Sequence, residues 1–326
     1  MAFRLKLVPD ETKIDFFRYA PATFGFSVVM VLASIVLVVV MGLNFGIDFR
    51  GGTTIRTESV QPVDVGAYRA AIAPLDLGDV SITEVFDPTF GPEQNVAMIR
   101  IQAQEGTEAV TPEIINSVEA ALQAVDPSVT FPSVESVGPK VSGELIWTAI
   151  IAVLSATAAI LVYIWLRFEW QFAVGAVVAL IHDVTVTVGI FSLLQIKFDL
   201  AIIAALLTIL GYSINDTVVV FDRLRENLIK YKKMELRDVM NLSVNETLSR
   251  TVMTSGTTLI ALIALLVLGG DVIRGFVFAM TWGIVVGTYS SVYVAKNVVL
   301  FLGVKRDWSK TDGDSPAGTQ FGKSGG

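Results

Sequence analysis

The sequence predicts an α-helical polytopic membrane protein with six transmembrane helices and one small α+β domain between the first and second. Three observations carry this. Hydrophobic residues make up 53% of the chain and charged ones 17%, where soluble domains carry about 25% charged residues. Apolar runs of bilayer-crossing length, about 20 residues, recur along the chain. Between the first two runs lies a polar insert, residues 44–144, whose periodicities read βαββαβ, the order of the ferredoxin-like fold.

The same composition excludes several function classes. With no cysteine there is no disulfide framework, thiolate nucleophile or cysteine metal site, and the single histidine, His182, rules out a multi-histidine zinc centre. A net charge of −7 without a basic, aromatic-rich patch argues against nucleic acid as a partner. No Ser-His-Asp order, paired-carboxylate cleft or metal motif is found, so no catalytic residue is assigned and no enzyme, metal or cofactor is expected.

Residues 1–20 form a polar segment with Arg4, Lys6, Lys13 and Arg18, and the first span follows at 21–43. A basic start before an apolar run also describes a signal peptide. This run is longer than a signal core and no small-residue cleavage motif follows it, so an uncleaved first helix is expected. The insert opens with GLNFGIDFRGGT, Gly42 to Thr53. Gly46, Gly51 and Gly52 suit tight turns or close backbone approach, and Asp48, Phe49 and Thr53 complete the motif. No Lys-Ser or Lys-Thr follows, so it is not a phosphate loop. Strands are expected at Thr53–Thr57, Val80–Phe86, Val96–Ile101 and Val129–Val137, and helices at Val63–Ala73 and Pro112–Ala124. Pro62 and Pro112 are placed as helix starts.

Five further spans form a bundle over 145–304: Leu145–Leu166, Phe172–Leu194, Leu200–Arg223, Thr251–Leu268 and Gly275–Val294. The polar connector 222–250 holds Arg223, Arg225, Lys230, Lys232, Lys233, Arg237 and Arg250. Its apolar residues fall at helical spacing. Two short helices lying against the membrane face are one expectation, and a solvated basic loop that only sets topology is the other. Lys and Arg in this connector and the N-terminal segment place both termini in the cytoplasm and the insert outside. The tail, 305–326, is rich in Gly, Ser, Asp and Lys and is expected to be disordered.

Asp216, preceded by Asn215, stands inside the fourth span and is followed by Val218, Val219, Val220 and Phe221. An ionisable group at membrane depth costs roughly 3 kcal/mol or more and marks function by default; a solvated position near the membrane edge is the alternative. Arg250 precedes the fifth span, with Thr254, Thr257 and Thr258 on its helix face at spacings of about 3.6 residues per turn and Ser255 beside them. Antiparallel fourth and fifth helices put Asp216 and Arg250 at comparable depth, where they could pair. Burial favours a protonated carboxylate and an approaching arginine the ionised one, so a helix movement could bind and expel a proton. His182 and Asp183, in the third span, either extend such a relay or cap helix contacts through hydrogen bonds. Gly211 and the GxxxG pair Gly283 and Gly287 are read as close-packing positions without chemistry of their own.

Three long stretches then carry a resemblance over nearly the whole chain: GIDFRGGT after the first span, GYSINDTVVVFDRLREN at the fourth, and NETLSRTVMTSGTTLIALIAL leading into the fifth. With six spans and one outer domain, the chain resembles the SecF family of protein-export membrane proteins, part of the SecDF complex and of the resistance-nodulation-division (RND) superfamily. The resemblance implies half of an RND-type bundle in the bacterial inner membrane, paired with SecD. It further implies association with the SecYEG channel and a translocating preprotein, with YajC and YidC as further candidates, and the proton gradient as energy source. The family's membrane aspartate falls on Asp216 and its arginine on Arg250. A proton-coupled RND-type exporter of small molecules or lipids, and a purely structural assembly subunit, are the competing readings.

Overall fold

The computed structural model describes residues 12–102 and 110–304; the tail expected to be disordered lies outside them. The elements are α1 (Ala20–Met41), α2 (Ile47–Arg50), β1 (Gly52–Ser59), α3 (Val65–Ile72), β2 (Val80–Val85), β3 (Asn95–Gln102), α4 (Pro112–Gln123), β4 (Thr130–Val137), α5 (Pro139–Arg167), α6 (Trp170–Leu194), α7 (Leu200–Lys230), α8 (Leu236–Leu268), α9 (Asp271–Ser290) and α10 (Lys296–Leu302). A π-helical turn, Ser291–Ala295, joins α9 to α10. Among the described residues six helical segments are long and apolar enough to cross a membrane, the last being α9 continued through α10.

The insert folds as a βαββαβ unit. Its four strands form one antiparallel sheet in the order β2-β3-β1-β4. Alternation along β1 and β3 sends Ile55, Ala97, Ile99 and Ile101 to one face, where they pack with Tyr68 and Ile72 of α3 and Val118 and Leu122 of α4. Side chains in a strand alternate between faces, so the other face, bearing Thr54, Arg56, Met98 and Arg100, is left uncovered by these helices.

In the bundle, α6, α7 and α9 form the centre. Half of the apolar window of α6 is buried within the chain, against only 6% of that of α5. The GIDFRGGT motif roots the α/β domain on this bundle. Gly46 donates its N–H to the Phe198 carbonyl, Phe198 donates to that of Asn44, and the Asp48 carboxylate accepts from the Leu200 N–H at the start of α7. Gly51 and Gly52 adopt φ values of 74° and 132°, which a side chain disfavours. Phe49 stacks with Phe45 and Phe198 beside them. A second tie joins Phe86 to Asp271, each N–H reaching the other residue.

Several expectations need correction. The connector is neither a pair of separate surface helices nor a loop. Helix α7 runs on without a break to Lys230 and α8 starts at Leu236, leaving only a short turn. Both helices outlast their apolar stretch because the buried faces continue: Leu224 and Leu228 of α7 pack against Val239 and Met240 of α8. The second span begins earlier than expected, within α5, since Pro139 starts the helix without losing a needed N–H. Gly211 packs against nothing; its helix phase points it outward.

The N-terminal segment is strapped to the end of the bundle away from the α/β domain. Asn245 of α8 accepts from Thr12 Oγ1 and the Ile14 N–H, and donates to the Ile14 carbonyl; Asn241 accepts from the Phe16 N–H. Phe16 and Phe17 cover Lys296, which lay outside the expected sixth span. Lys296 is 1% exposed. Its Nζ has no hydrogen-bond partner among the described residues and sits 4.2 Å from the Phe17 ring centre, with Phe16 and Tyr293 at 4.9 and 5.1 Å.

Candidate functional site

Ile209, Ser213, Asp216 and Val220 recur every three or four residues on α7, so they share one face, and all four are buried. That face meets the glycines of α9. Gly283 abuts Ile209 and Gly287 abuts Ser213, so the GxxxG contact is made within the chain and lets α9 lie close to α7. Asp216 comes one turn beyond Ser213.

Asp216 is 3% exposed. Its Oδ2 accepts from Ser255 Oγ of α8 at 3.4 Å, and Thr254 of the same helix stands close to it. Ser255 in turn shares a 2.7 Å bond with Thr288 Oγ1 of α9. Three helices therefore converge on a weakly hydrogen-bonded carboxylate. Asp183 of α6 is different. It is fully buried, and its carboxylate is bonded to His182 Nδ1 (3.0 Å), Ser213 Oγ (2.6 Å) and Ser290 Oγ (2.8 Å). A carboxylate with three close partners is compensated where it stands; one held only by a long bond is left more responsive to any charge that approaches. The geometry fits the hydrogen-bonded helix-contact reading for Asp183, and Asp216 is the less compensated of the two acids.

His182 lies beside Tyr289, ring centres 6.2 Å apart. The Tyr289 hydroxyl donates to the Thr23 carbonyl at 2.8 Å and lies 3.0 Å from Ser27 Oγ. This polar line ties α6 and α9 to α1.

Arg250 does not pair with Asp216. It is exposed and makes no ion pair among the described residues. Ser255, the residue at the level of Asp216, is five positions further along α8, or about 7.5 Å at 1.5 Å per residue. Helical side chains also tilt toward their helix N-terminus, so the guanidinium stops short of an ion pair with Asp216 while its charge still reaches the carboxylate. It lines a crevice of about 480 Å³ with Arg167, Asp222, Arg223, Glu226 and Glu246. There Arg167 pairs with Asp222 at 3.0 Å, and Arg223 with Glu246 and Glu226 at 2.7 Å each.

The other candidates divide. Thr254, Thr257 and Thr258 all bond back to their own helix; Thr258 Oγ1 also accepts from the Tyr212 hydroxyl, and Thr254 stands close to Asp216. Asn215 and Thr257 are exposed, one helix phase away from the buried face, and do not join the site. Thr53 Oγ1 is 2.7 Å from Ser136 Oγ and belongs to the sheet. Sequence reasoning missed Ser213, Thr288, Ser290 and Tyr289. Ser213 was findable, since it stands three residues before Asp216 on one face; the α9 hydroxyls carry no signal until α9 is placed. Among the described residues no group of His, Asp and Glu could hold a metal.

Comparison with known proteins gives a consistent result. Residues 117–305 match the family described as protein export membrane protein SecD/SecF, C-terminal, and 36–63 match the SecD/SecF GG motif. The chain is 73% identical over 321 residues to protein translocase subunit SecF of Cereibacter sphaeroides, covering 98% of each. It is 42% identical over 303 residues to the protein of the same description from Vibrio alginolyticus, covering 93% of this chain and 94% of the other. The crystal structure of SecDF, a translocon-associated membrane protein from Thermus thermophilus, aligns with a TM-score of 0.79 and 35% identity. The alignment covers 91% of this chain but only 39% of that one.

Proposed function

The chain belongs to the SecF family of protein translocase subunits, and from that premise we propose that it is half of a proton-driven complex that promotes preprotein translocation and release. The observation that carries the reading is Asp216, a buried carboxylate at a three-helix junction with one 3.4 Å hydrogen bond. The other half is SecD. Supporting this, the chain spans 39% of the SecDF chain, and Gly211 and Asn215 of α7 are exposed. The SecYEG channel and the preprotein in transit are the further partners, with YajC and YidC as accessory candidates. The basic far end of the bundle lies in the cytoplasm of a bacterial cell and the α/β domain outside the inner membrane.

Protons reach Asp216 from the outside and leave when Arg250 approaches from the cytoplasmic crevice. The separation to be closed is about one and a half helical turns, within reach of a swing of the arginine and a modest slide of α8. One proton contributes about 2.3 kcal/mol per 100 mV and about 1.4 kcal/mol per pH unit. That biases a conformational equilibrium by some hundreds-fold and does not move a whole polypeptide in one stroke, so the cycle repeats. The family relatives favour export of polypeptide over the small-molecule exporter.

The test is preprotein release from sealed vesicles with and without a proton gradient. The Asp216→Asn protein should lose the gradient-dependent part and keep the gradient-independent part. Gradient-dependent release at the native level in that variant would remove Asp216 from the mechanism.

A further inference from the structure

A cavity of about 900 Å³ lies between the uncovered face of the sheet and the adjoining ends of α7, α8 and α9. Its two walls differ. On the bundle side Ile196, Ile202, Leu266, Phe276 and Phe278 present an apolar surface at the ends of membrane helices. On the sheet side Arg100 of β3 stands opposite Thr54 of β1, and Thr54 opposite Glu135 of β4, in one row across three strands. At about 4.8 Å per strand, the Arg100 and Glu135 backbones are roughly 10 Å apart.

The charges of this cavity are only partly used. Asp48 accepts from Leu200 N–H, Lys197 pairs with Asp199, and Arg274 with Asp271. Arg100, Glu84 and Glu135 have no ion pair among the described residues. Of the sheet-side residues lining this cavity, Arg100 donates from Nη2 to Met98 Sδ at 3.2 Å, while Arg100 Nε and Thr54 Oγ1 are buried with no hydrogen-bond partner among the described residues. Burial lowers the Arg100 pKa from its ordinary value, with Asp199 acting weakly against it. A half-buried guanidinium of this kind is stabilised by an anion.

We propose that this cavity binds an amine-bearing zwitterionic phospholipid, its phosphate on Arg100 and Thr54, its ammonium on Glu135, and its chains along the apolar wall. The fixed cation and anion on one rigid sheet match a headgroup carrying both signs, and the volume lies within the usual range of ligand pockets. A polypeptide segment fits less well, because the apolar wall belongs to the ends of membrane helices and so lies at bilayer level.

The full-length protein, purified in detergent and delipidated, is titrated with dioleoyl phosphatidylethanolamine, dioleoyl phosphatidylglycerol and soluble glycerophosphoethanolamine, and bound molecules are counted by native mass spectrometry. One phosphatidylethanolamine should bind more tightly than phosphatidylglycerol. Arg100→Met should weaken it roughly tenfold or more, as expected for losing a charged hydrogen bond. Glu135→Gln should abolish the preference between the two lipids, and the milder Thr54→Val, which keeps the shape, should weaken binding severalfold. Equal binding by native protein and Arg100→Met, provided circular dichroism shows both folded, overturns the site. Binding of glycerophosphoethanolamine as tight as that of the lipid overturns the lipid assignment, as does displacement of the lipid by an unfolded peptide with the same Arg100 dependence.

Discussion

Substituting Gly287 by alanine tests the junction between α7 and α9. A methyl group there lies 3.0 Å from Ser213 Cβ, 3.1 Å from Ser213 Oγ and 3.6 Å from Asp183 Oδ2. Carbon contacts sit ordinarily at about 3.5–4.0 Å. The helices cannot separate freely, because Gly283 is packed at least as closely on Ile209 one turn away. Overpacking of this kind costs about 1–3 kcal/mol. Turning Ser213 aside also breaks its 2.6 Å bond to Asp183, a further loss of about 0.5–1.5 kcal/mol. Alanine in place of glycine in a helix returns about 0.5–1 kcal/mol. The balance is a destabilisation of about 2 kcal/mol, measured by denaturant titration of the purified protein in micelles. Gly256→Ala is the control: its added carbon meets nothing within 4 Å, so it should be stabilised by about 0.5–1 kcal/mol. In a Ser213→Ala background the cost of Gly287→Ala should fall by about 1 kcal/mol, since the hydrogen bond is already gone. A Gly287→Ala protein as stable as Gly256→Ala would refute the reasoning.

Three further outcomes follow from the structure. Lys296→Met removes a buried, unpaired ammonium while keeping an apolar stem of similar length; the desolvation cost outweighs a cation–π gain of about 0.5–2 kcal/mol, so the variant should resist denaturant better than the native protein. Asn245→Ala deletes three hydrogen bonds to Thr12 and Ile14 and should speed amide exchange and protease cleavage before Phe17 without unfolding the spans. In the α/β domain, the side-chain and backbone bonds from Thr89 hold Asp87 below the ordinary carboxylate value of 3.8. A depressed pKa contributes stability above the ordinary value and loses it as pH falls through the lowered one. The Asp87–Thr89 turn should therefore loosen as pH falls below about 4, followed by exchange of the Thr89 amide, and Thr89→Val should weaken that pH dependence.

Much of the architecture was legible in one dimension. Six apolar runs read as spans because no water is available at membrane depth to satisfy a broken helix. The two central strands, β1 and β3, alternate because one face is covered by α3 and α4. The connector was misread for a physical reason: Leu236, Val239 and Met240 announced a helix, but only packing on Leu224 and Leu228 shows that it continues a span. Gly211 and Asn215 shared a motif with Asp216 yet point the other way, since neighbours in sequence differ by about 100° on a helix.

The sequence alone determined that this is a six-span membrane protein with a βαββαβ insert and narrowed the membrane-depth charges to His182, Asp183, Asp216 and Arg250, because hydropathy, period and the scarcity of intramembrane charges are local properties. Only the tertiary structure decided what each charge touches. It gave Asp183 three close partners and Asp216 only a 3.4 Å bond from Ser255 and the nearby Thr254, kept Arg250 in a crevice about 7.5 Å short of the carboxylate's level, and buried Lys296 under Phe16 and Phe17. Those outcomes depend on the phase and depth at which separate helices meet, which no single stretch of sequence encodes.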